Sequence, residues 1–326
     1  MNIAAIHDAS RFDRTCKICS SKSKYVFSID GKQGHPPALD IFLCGYCGLL
    51  FVGNPITNEQ LARAYETLDQ NKYYQEIATS MGRKVSRAIG DINILLHSDP
   101  PHSSILDIGC GYGHFLEALT KLSPSIQAVG QELPGQSASV CQSKGFKVYT
   151  GALEDISEQF SIVSLLDVAE HIPQPNRMFA ACYSLLETDG YIYIHTPRRC
   201  FWDNLFLRLI RIPGLCRFSR SWFRTRVSIF HLHLWTDKAL KLSLQKAGFQ
   251  VVYLKSEMEL SWPVDMYVRV YLGQKLHFSP GLVTIATVFA KVLFVWLRTL
   301  KNKAICLGEK RGDTSPKVET KWESGN

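Results

Sequence analysis

Gly109, Gly111 and Gly113 alternate along the segment LDIGCGYGHFL, closely behind Asp107. Glycine is costly in regular structure, so this cluster predicts a tight turn or a backbone that a ligand approaches closely. A dinucleotide fingerprint would place its third glycine at position 114, where this chain has histidine. A carboxylate ahead of the loop disfavours a pyrophosphate and favours a cationic ligand.

Two further acids accompany the glycine loop. Glu132 ends the predicted strand IQAVGQE, and Asp167 ends the predicted strand SIVSLLD. A carboxylate at the first position can accept hydrogen bonds from both hydroxyls of a ribose. This arrangement favours S-adenosylmethionine, which carries an ammonium, a sulfonium and a ribose but no phosphate. The alternative is an ordinary strand-to-helix turn.

Two C-x-x-C pairs lie near the N-terminus, Cys16 with Cys19 and Cys44 with Cys47, separated by a turn-rich segment. Together they can close a tetrahedral four-cysteine zinc site. The alternatives are two unrelated reduced pairs or a redox motif, although a redox motif needs only one pair. We expect a structural Zn2+ that supplies most of the folding free energy of this small module.

Strand and helix patterns alternate from residue 101 onward, and these elements must position the acids. The alternation predicts an α/β fold with a doubly wound, Rossmann-like parallel sheet. Ligands of such sheets bind at the carboxyl ends of the strands. The predicted strands are ILDI, IQAVGQE, FKVYT, SIVSLLD and YIYIHTP, and the predicted helices are HFLEALTKL, GQSASVCQSKG and NRMFAACYSLLETDG, the last closed by Gly190.

The chain has 326 residues, of which 46% are hydrophobic and 20% charged, as is typical of a globular protein. Its formal charge of +8 fits an anionic substrate, nucleic acid or a membrane surface, and decides among none of them. We divide it into a flexible tail (1–15), a zinc-ribbon module (16–53), a helical linker (54–100) with a capping box at Thr57 and Gln60, a ligand-binding domain (101–257), a C-terminal helical extension with a last strand (258–310) and a second tail (311–326).

Five segments read in order resemble class I S-adenosylmethionine-dependent methyltransferases that act on small molecules: LDIGCGYG, VGQE, LLDVAEHIPQP, LLETDGYIYIHTP and HLHLWTDKALKLSLQKAGF. The cysteine pairs followed by GLLFVGNPITNEQLARAYE resemble the zinc-ribbon-bearing branch of that family. The resemblance implies an enzyme with a methyltransferase sheet and an N-terminal four-cysteine zinc ribbon. It implies contacts with the methyl donor at Asp107, Gly109, Cys110, Gly111, Gly113 and Leu133. It also implies a ribose contact at Glu132, adenine contacts at Leu153 and Glu154, and a floor of the donor site at Asp167 and Val168.

One departure concerns the adenine. Relatives often carry an acid for the adenine amine where TGALED has Ala152, so recognition would fall to backbone groups or to Glu154. Cys110 fits a small filler of the loop better than a nucleophile.

Glu170 and His171, in DVAEH, follow the strand that faces the donor and are the candidate catalytic residues. His171 is the candidate general base because imidazole titrates near neutral pH. The alternatives are a histidine that orders the loop or, as in some resembling O-methyltransferases, a Glu and His that help to hold a divalent ion. His231 and His233 could line the acceptor pocket or be structural.

Residues 198–230 form a basic and aromatic segment, which we interpret as a lid that selects an anionic or amphiphilic acceptor. Nucleic acid is disfavoured because DVAEHIPQP differs from the motif expected when a planar base nitrogen is methylated. We therefore expect methyl transfer to a small molecule, to oxygen in preference to nitrogen or carbon. The alternatives are a non-catalytic cofactor-binding adaptor and a nucleic-acid methyltransferase.

The segment SPGLVTIATVFAKVLFVWLRTLKNK predicts a helix over residues 281–300. Its apolar run is shorter than the roughly 20 residues that a bilayer requires, and Lys291 lies at its middle. Two alternatives remain: packing against the sheet, to which the predicted strand KAICLG would return the chain, or contact with a membrane surface near a lipid-linked acceptor. Without a secretory signal pattern at residues 1–15, we expect a cytoplasmic location, with peripheral membrane contact left open.

Overall fold

The computed structural model describes residues 15–29, 38–56, 60, 70–96, 102–258, 279–296 and 301–312. The strands are β1 (Ser23–Ile29), β2 (Leu39–Cys44), β3 (Leu50–Val52), β4 (Ser104–Ile108), β5 (Gln127–Gln131), β6 (Lys147–Tyr149), β7 (Phe160–Leu166), β8 (Leu186–Pro197), β9 (His233–Leu234), β10 (Gln250–Glu257) and β11 (Lys303–Glu309). The helices are α1 (Gln70–Leu96), α2 (His114–Leu122), α3 (Gln136–Ser143), α4 (Pro175–Leu185), α5 (Phe201–Leu209), α6 (Cys216–Phe223), α7 (Asp237–Lys246) and α8 (Pro280–Trp296).

Seven strands form the larger sheet, in the order β10-β11-β8-β7-β4-β5-β6. Strands β8, β7, β4, β5 and β6 are parallel, whereas β11 runs antiparallel between β8 and β10. The chain leaves β4 for β5 on one side and returns to β7 on the other, which makes the carboxyl end of β4 a topological switch point. The predicted doubly wound, Rossmann-like sheet is confirmed.

Helices cover both faces of this sheet because its strands are apolar on both faces. On one face, Ile92 of α1 and Phe115 of α2 join a buried cluster with Ile162 of β7. On the other, Phe179 of α4 and Leu240 of α7 belong to the main core. A fully buried parallel sheet of this kind holds its strand ends rigidly, which is what a site built on them requires.

Helix α4 ends at Leu185, five residues before the predicted stop at Gly190. Leu186 is already extended, fully buried and paired with Phe160 of β7, so burial of this leucine in the sheet overrides the helical pattern. Asp189 then takes a positive φ of 63°, and its amide donates to the carbonyl of Lys310.

The smaller sheet has the order β1-β2-β3-β9, and β9 is distant in sequence from the other three strands. Leu50 and Phe51 of β3 pair with Leu234 and His233 of β9. The N-terminal cysteine module and residues 233–234 therefore share one sheet.

Some apolar side chains of the 198–230 segment pack against this smaller sheet, while Phe201, Ile212 and Leu215 are exposed. Phe206 of α5, Phe223 of α6 and Val227 lie in one buried cluster with Phe27 and Ile41. The amphipathic pattern thus marks a packing surface toward the N-terminal module.

Helix α8 exposes apolar side chains along its described portion. Leu282, Ile285 and Val288 are each more than half exposed, and β11 follows as predicted. Among the described residues, no helix has both the length and the apolar character needed to cross a bilayer. Thr57, residues 297–300 of the predicted helix, and both predicted tails apart from residues 15, 311 and 312 lie outside the described residues.

Candidate active site and metal centre

The loop between β4 and α2 needs glycine at two positions. Gly109 has a φ of 69°, and a Cβ there would lie 2.5 Å from Cγ2 of Val168. Gly113 has a φ of 76°, and a Cβ there would lie 2.7 Å from Sγ of Cys141. The amides of Gly109 and Cys110 donate to the carbonyl of Gln131 at 2.7 and 3.1 Å. The loop therefore folds tightly over the carboxyl ends of β4 and β5.

Glu132 directly follows β5 and closes over this loop. Its Oε2 accepts the amide hydrogen of Gly111 at 2.7 Å, and its Oε1 accepts that of Leu133 at 2.8 Å. Burial raises the pKa of this carboxyl. Each carboxylate oxygen has a further lone pair, so both can accept hydroxyl hydrogens from a ligand lying on the loop.

Asp107 lies within β4 and is buried. The hydroxyl of Ser164 donates to its Oδ1 at 2.7 Å, and burial raises the pKa of Asp107 to about 7. A cationic group placed beside it would favour the ionised form.

The remaining predicted donor contacts lie around this centre. Cys110 is buried with its Sγ 3.9 Å from that of Cys141, which agrees with a filler. Leu153 and Glu154 occupy a 3₁₀ turn (Leu153–Asp155), where the Glu154 carboxylate accepts from Nε of Arg177 at 2.8 Å. Leu133 is exposed beside Glu132.

Asp167 departs from the simple floor that the resemblance implies, because basic side chains engage both of its carboxylate oxygens. Oδ1 lies 2.9 Å from Nδ1 of His195 and 2.7 Å from Nζ of Lys303, while Oδ2 lies 2.5 Å from Nζ of Lys84. Burial opposes ionisation here, but the two ammonium groups and His195 hold the pKa of Asp167 well below its usual range. Sequence reasoning missed Lys84, His195 and Lys303.

Glu170 and His171 lie next to each other in the loop that follows β7. Glu170 is buried, and its Oε2 accepts from the hydroxyl of Thr196 at 2.9 Å. His171 Nδ1 lies 2.6 Å from the carbonyl of Phe230, so this nitrogen carries the proton and Nε2 has the free lone pair. That Nε2 lies 3.7 Å from Glu170 Oε1, which has no hydrogen-bond partner among the described residues. Two facing lone pairs at this distance leave room for a proton or a cation between them.

The structure separates the two histidines of HLHLW. The ring of His231 lies 4.9 Å from that of His171, and ligand atoms of Glu170, His171 and His231 all lie within 4.8 Å of one another. Burial, followed by the neighbouring His171 and Lys303 side chains, lowers the pKa of His231 to about 3.

His233, by contrast, is fully buried. Its Nε2 donates to the carbonyl of Ile172 at 2.9 Å, and burial lowers its pKa to about 3. His231 therefore lies beside Glu170 and His171, whereas His233 is buried against the carbonyl of Ile172.

The four N-terminal cysteines converge. Sγ of Cys16 lies 3.5 Å from that of Cys47, and Sγ of Cys19 lies 3.5 Å from that of Cys44. Tetrahedral zinc with bonds of about 2.3 Å spaces its sulfurs by about 3.8 Å, so the residues present fit a four-cysteine zinc site. The amides of Ile18, Tyr46 and Cys47 each point at a sulfur from 3.4 Å, which favours thiolates.

Side chains of the larger domain hold this module by its backbone. The hydroxyl of Thr236 donates to the carbonyl of Cys47 at 2.5 Å. The amide of Asn176 donates to the carbonyls of Lys17 and Ile18, each at 3.0 Å. The module is thereby fixed next to α4 and α7.

A family model described as "Methyltransferase domain" matches residues 75–254. The ubiquinone biosynthesis O-methyltransferases of Pseudomonas entomophila L48 and Pseudomonas putida F1 are 29% and 30% identical to this chain over 103 residues. That segment is 29% of this chain and 44% of each relative, so the match spans less than half of their length.

Solved structures to which this chain is similar include a SAM dependent methyltransferase from Archaeoglobus fulgidus, with a TM-score of 0.48 and 18% identity, over 74% of this chain and all of that one. The cyclopropane synthase MmaA2 from Mycobacterium tuberculosis gives a TM-score of 0.42 and 17% identity, over 70% of this chain and 82% of that one.

Proposed function

Because the chain belongs to the methyltransferase-domain family, we propose that it transfers a methyl group from S-adenosylmethionine to an oxygen of a small molecule. The observation that carries the proposal is that the candidate residues lie together at the carboxyl ends of neighbouring strands of the larger sheet. Asp107, the glycine loop and Glu132 lie at the ends of β4 and β5, and His171 follows the adjacent β7 with a free imidazole lone pair.

S-adenosylmethionine, when bound, supplies an electrophilic methyl group. Asp107 would hold its ammonium, since a buried carboxylate gains most from a cationic partner. Glu132 would accept both ribose hydroxyls with oxygens that its contacts to Gly111 and Leu133 already orient. Leu153 and Glu154 would flank the adenine. Both acids thus bind the donor without taking part in the transfer.

His171 would remove the proton of the acceptor hydroxyl at Nε2. Its Nδ1–H bond to the Phe230 carbonyl holds the tautomer in which Nε2 accepts. The buried carboxylate of Glu170, with Oε1 3.7 Å away, would stabilise the imidazolium that forms. Glu170 in turn is oriented by Thr196.

A second role for the same residues is to bind a divalent cation. Glu170 Oε1 and the imidazoles of His171 and His231 offer three ligand atoms within 4.8 Å. The Nδ1–H bond of His171 to a carbonyl is the outer contact that metal-binding histidines commonly have. The two roles exclude each other at His171, because each uses the same lone pair.

Replacing Glu132 by alanine should weaken binding of S-adenosylhomocysteine about 10- to 100-fold, since charge-assisted hydrogen bonds of roughly 1.5–3 kcal/mol are lost. Isothermal calorimetry measures the change. Glu158→Ala is the matched control, because that carboxylate pairs with Lys147 at the surface and lies before β7. Tight binding of NAD with no binding of S-adenosylhomocysteine by the wild type would overturn the proposed function.

The acceptor, on this proposal, is anionic or lipid-linked, and the protein meets it at a membrane surface through α8. Support comes from the exposed Leu282, Ile285 and Val288 and from the net charge of +8. In the described part of the helix, these side chains recur every three residues along one face.

The protein should therefore float with anionic liposomes at low salt, and Leu282→Asp with Ile285→Asp should abolish flotation. Leu122→Asp, on an exposed leucine of α2, is the matched control and should still float. Wild-type protein that stays at the bottom of the gradient would exclude membrane contact.

A further inference from the structure

Helices α5 and α6 form a hairpin whose tip is exposed and apolar. Trp222 of α6 lies against Phe206 of α5, with their ring centroids 5.0 Å apart, so the two helices pack on each other. In the turn between them, the amides of Ile212 and Leu215 donate to carbonyls three residues earlier, at 3.0 and 3.1 Å. The side chains of Ile212 and Leu215 are nevertheless 46% and 41% exposed. The tip is therefore an ordered turn that presents two aliphatic side chains to solvent.

The base of this α5–α6 hairpin is fixed to the rest of the protein. Phe206 and Phe223 belong to one buried cluster with Phe27 of β1. Arg226, which follows α6, donates to both carboxylate oxygens of the buried Asp203, each at 3.2 Å. These contacts hold the hairpin against the N-terminal module and leave its tip at the surface.

The charge of the hairpin has a single sign. Between positions 204 and 236 the sequence contains six arginines and neither aspartate nor glutamate. Arg226 is paired with Asp203. Three others are exposed and form no ion pair with a carboxylate of the described residues, namely Arg208, Arg211 and Arg220. The tip and its surroundings therefore combine exposed aliphatic groups with positive charge.

A bilayer with anionic headgroups matches this combination. Aliphatic side chains at the tip can enter the boundary between headgroups and acyl chains, while arginines keep their guanidinium groups among the phosphates. A single-stranded nucleic acid would also attract the arginines, but it binds through aromatic rings on which its bases stack. The tip, residues 211–215, has no aromatic residue and offers isoleucine and leucine instead. The observations therefore favour a lipid surface.

The hairpin is connected at both ends to regions that the proposed function uses. Seven residues after α6, the carbonyl of Phe230 accepts the Nδ1 hydrogen of His171. Before α5, Arg198 donates from its side chain to the carbonyl of Lys301 at 3.0 Å and from its amide to that of Asn302 at 2.8 Å. Both carbonyls belong to the chain between α8 and β11. The hairpin thus joins the loop that orients the proposed base to the segment that follows α8.

We propose that the α5–α6 hairpin binds an anionic membrane, with Ile212 and Leu215 inserted at the lipid interface and the three exposed arginines bound to lipid phosphates. The inference rests on the proposed function, which places the acceptor at a membrane, and it assigns the contact to a surface separate from α8. The free energies of two contacts with one membrane add, so losing either contact weakens attachment of the whole protein.

Hydrogen exchange of the full chain locates the contact, with vesicles of equal parts phosphatidylglycerol and phosphatidylcholine. We expect these vesicles to protect residues 208–220, and vesicles of pure phosphatidylcholine to protect them less. Ile212→Asp with Leu215→Asp should weaken vesicle binding about 100-fold, since each side chain kept out of the lipid costs about tenfold. Ile94→Asp with Leu122→Asp is the matched control, because these side chains are 44% and 45% exposed on α1 and α2. This control should bind vesicles as the wild type does.

The charge is tested separately. Replacing the three exposed arginines together by glutamine should weaken binding to the anionic vesicles about 100-fold, at about fivefold for each basic residue near the surface. A control that removes the same charge from exposed lysines outside the hairpin should change binding little: Lys24→Gln, Lys121→Gln and Lys241→Gln.

Protection of α8 without protection of residues 208–220 would overturn the inference and leave α8 as the membrane contact. Equal losses of binding in the hairpin variants and in their controls would overturn it as well. Binding of a single-stranded oligonucleotide through the three arginines, with no protection by vesicles, would assign the charge to nucleic acid and overturn the lipid contact. Failure of the wild type to bind S-adenosylhomocysteine would instead overturn the proposed function.

Discussion

Replacing His171 by alanine should lower methyl transfer by roughly 10²–10⁴-fold, with affinity for S-adenosylhomocysteine nearly unchanged. The imidazole has its free lone pair on Nε2 because Nδ1–H donates to the Phe230 carbonyl, and Glu170 Oε1 faces Nε2 from 3.7 Å. Its removal takes that lone pair away, whereas the contacts of Glu132 and Asp107 stay as they are. Single-turnover rates and calorimetry separate the two effects.

His114→Ala is the control, because that histidine is half exposed on α2 and pairs with Glu117 of the same helix. Unaltered turnover in His171→Ala would return the residue to a loop-ordering role.

Chelation distinguishes the general-base role of His171 from a divalent-cation site. If Glu170, His171 and His231 hold a divalent ion, EDTA should abolish wild-type turnover and added Mg2+ should restore it, and His231→Ala should be as damaging as His171→Ala.

The residues that the sequence identified are those whose roles depend on local chain geometry. The loop glycines and Glu132 directly follow the strands β4 and β5. Residues that follow a parallel strand lie at the carboxyl edge of the sheet, so their position can be inferred once the strand is recognised. The resemblance to methyltransferases, drawn from the same segments, is confirmed by the family match over residues 75–254.

Lys84 and Lys303 could not be predicted in the same way. Each is an isolated lysine in its own segment, and the two meet at Asp167 because β11 inserts antiparallel beside β8 while α1 packs on the same domain. Nothing in KAICLG indicates which strand it will pair with. Long-range pairing is a property of the assembled sheet, so the sequence predicted the strand but not the contact.

The 198–230 segment shows a related limit. Its Phe and Trp residues correctly indicate a buried apolar face, yet the pattern does not specify the partner. The partner of the buried part is the N-terminal sheet, through residues such as Phe27 and Ile41, whereas Phe201, Ile212 and Leu215 stay exposed. That the segment covers an acceptor stays a prediction. Arg226 likewise binds the fully buried Asp203 and the carbonyl of Arg198, both within the segment itself.

The cysteine module is coupled by hydrogen bonds to the candidate active site. Val52 of β3 donates its amide to the carbonyl of Leu232 at 2.9 Å, and Leu232 donates its own to the carbonyl of Glu170 at 2.8 Å. Cys16, Cys44 and Cys47 also share the main buried cluster with Trp235. The cysteine module thereby supports the loop that carries Glu170 and His171, the proposed base.

Purified protein should contain about one zinc per chain, and Cys44→Ser should lose it and unfold the N-terminal module, since a metal site of this kind provides most of such a module's folding free energy. Because β3 then no longer supports β9, turnover should fall roughly tenfold or more through misplacement of Glu170 and His171. Binding of S-adenosylhomocysteine should persist, since Asp107 and Glu132 rest on β4 and β5. Metal analysis, hydrogen exchange at residues 231–236 and calorimetry measure the three effects.

Cys216→Ser is the matched control, because this half-buried thiol lies in α6 and outside the cluster of four. It should keep the zinc, the exchange protection of residues 231–236 and the turnover. The coupling predicts that these losses occur together in Cys44→Ser, since the hydrogen bonds from β3 reach Glu170 through Leu232. Zinc loss with full turnover would contradict the coupling, and carefully reduced wild-type protein without zinc would contradict the metal site itself.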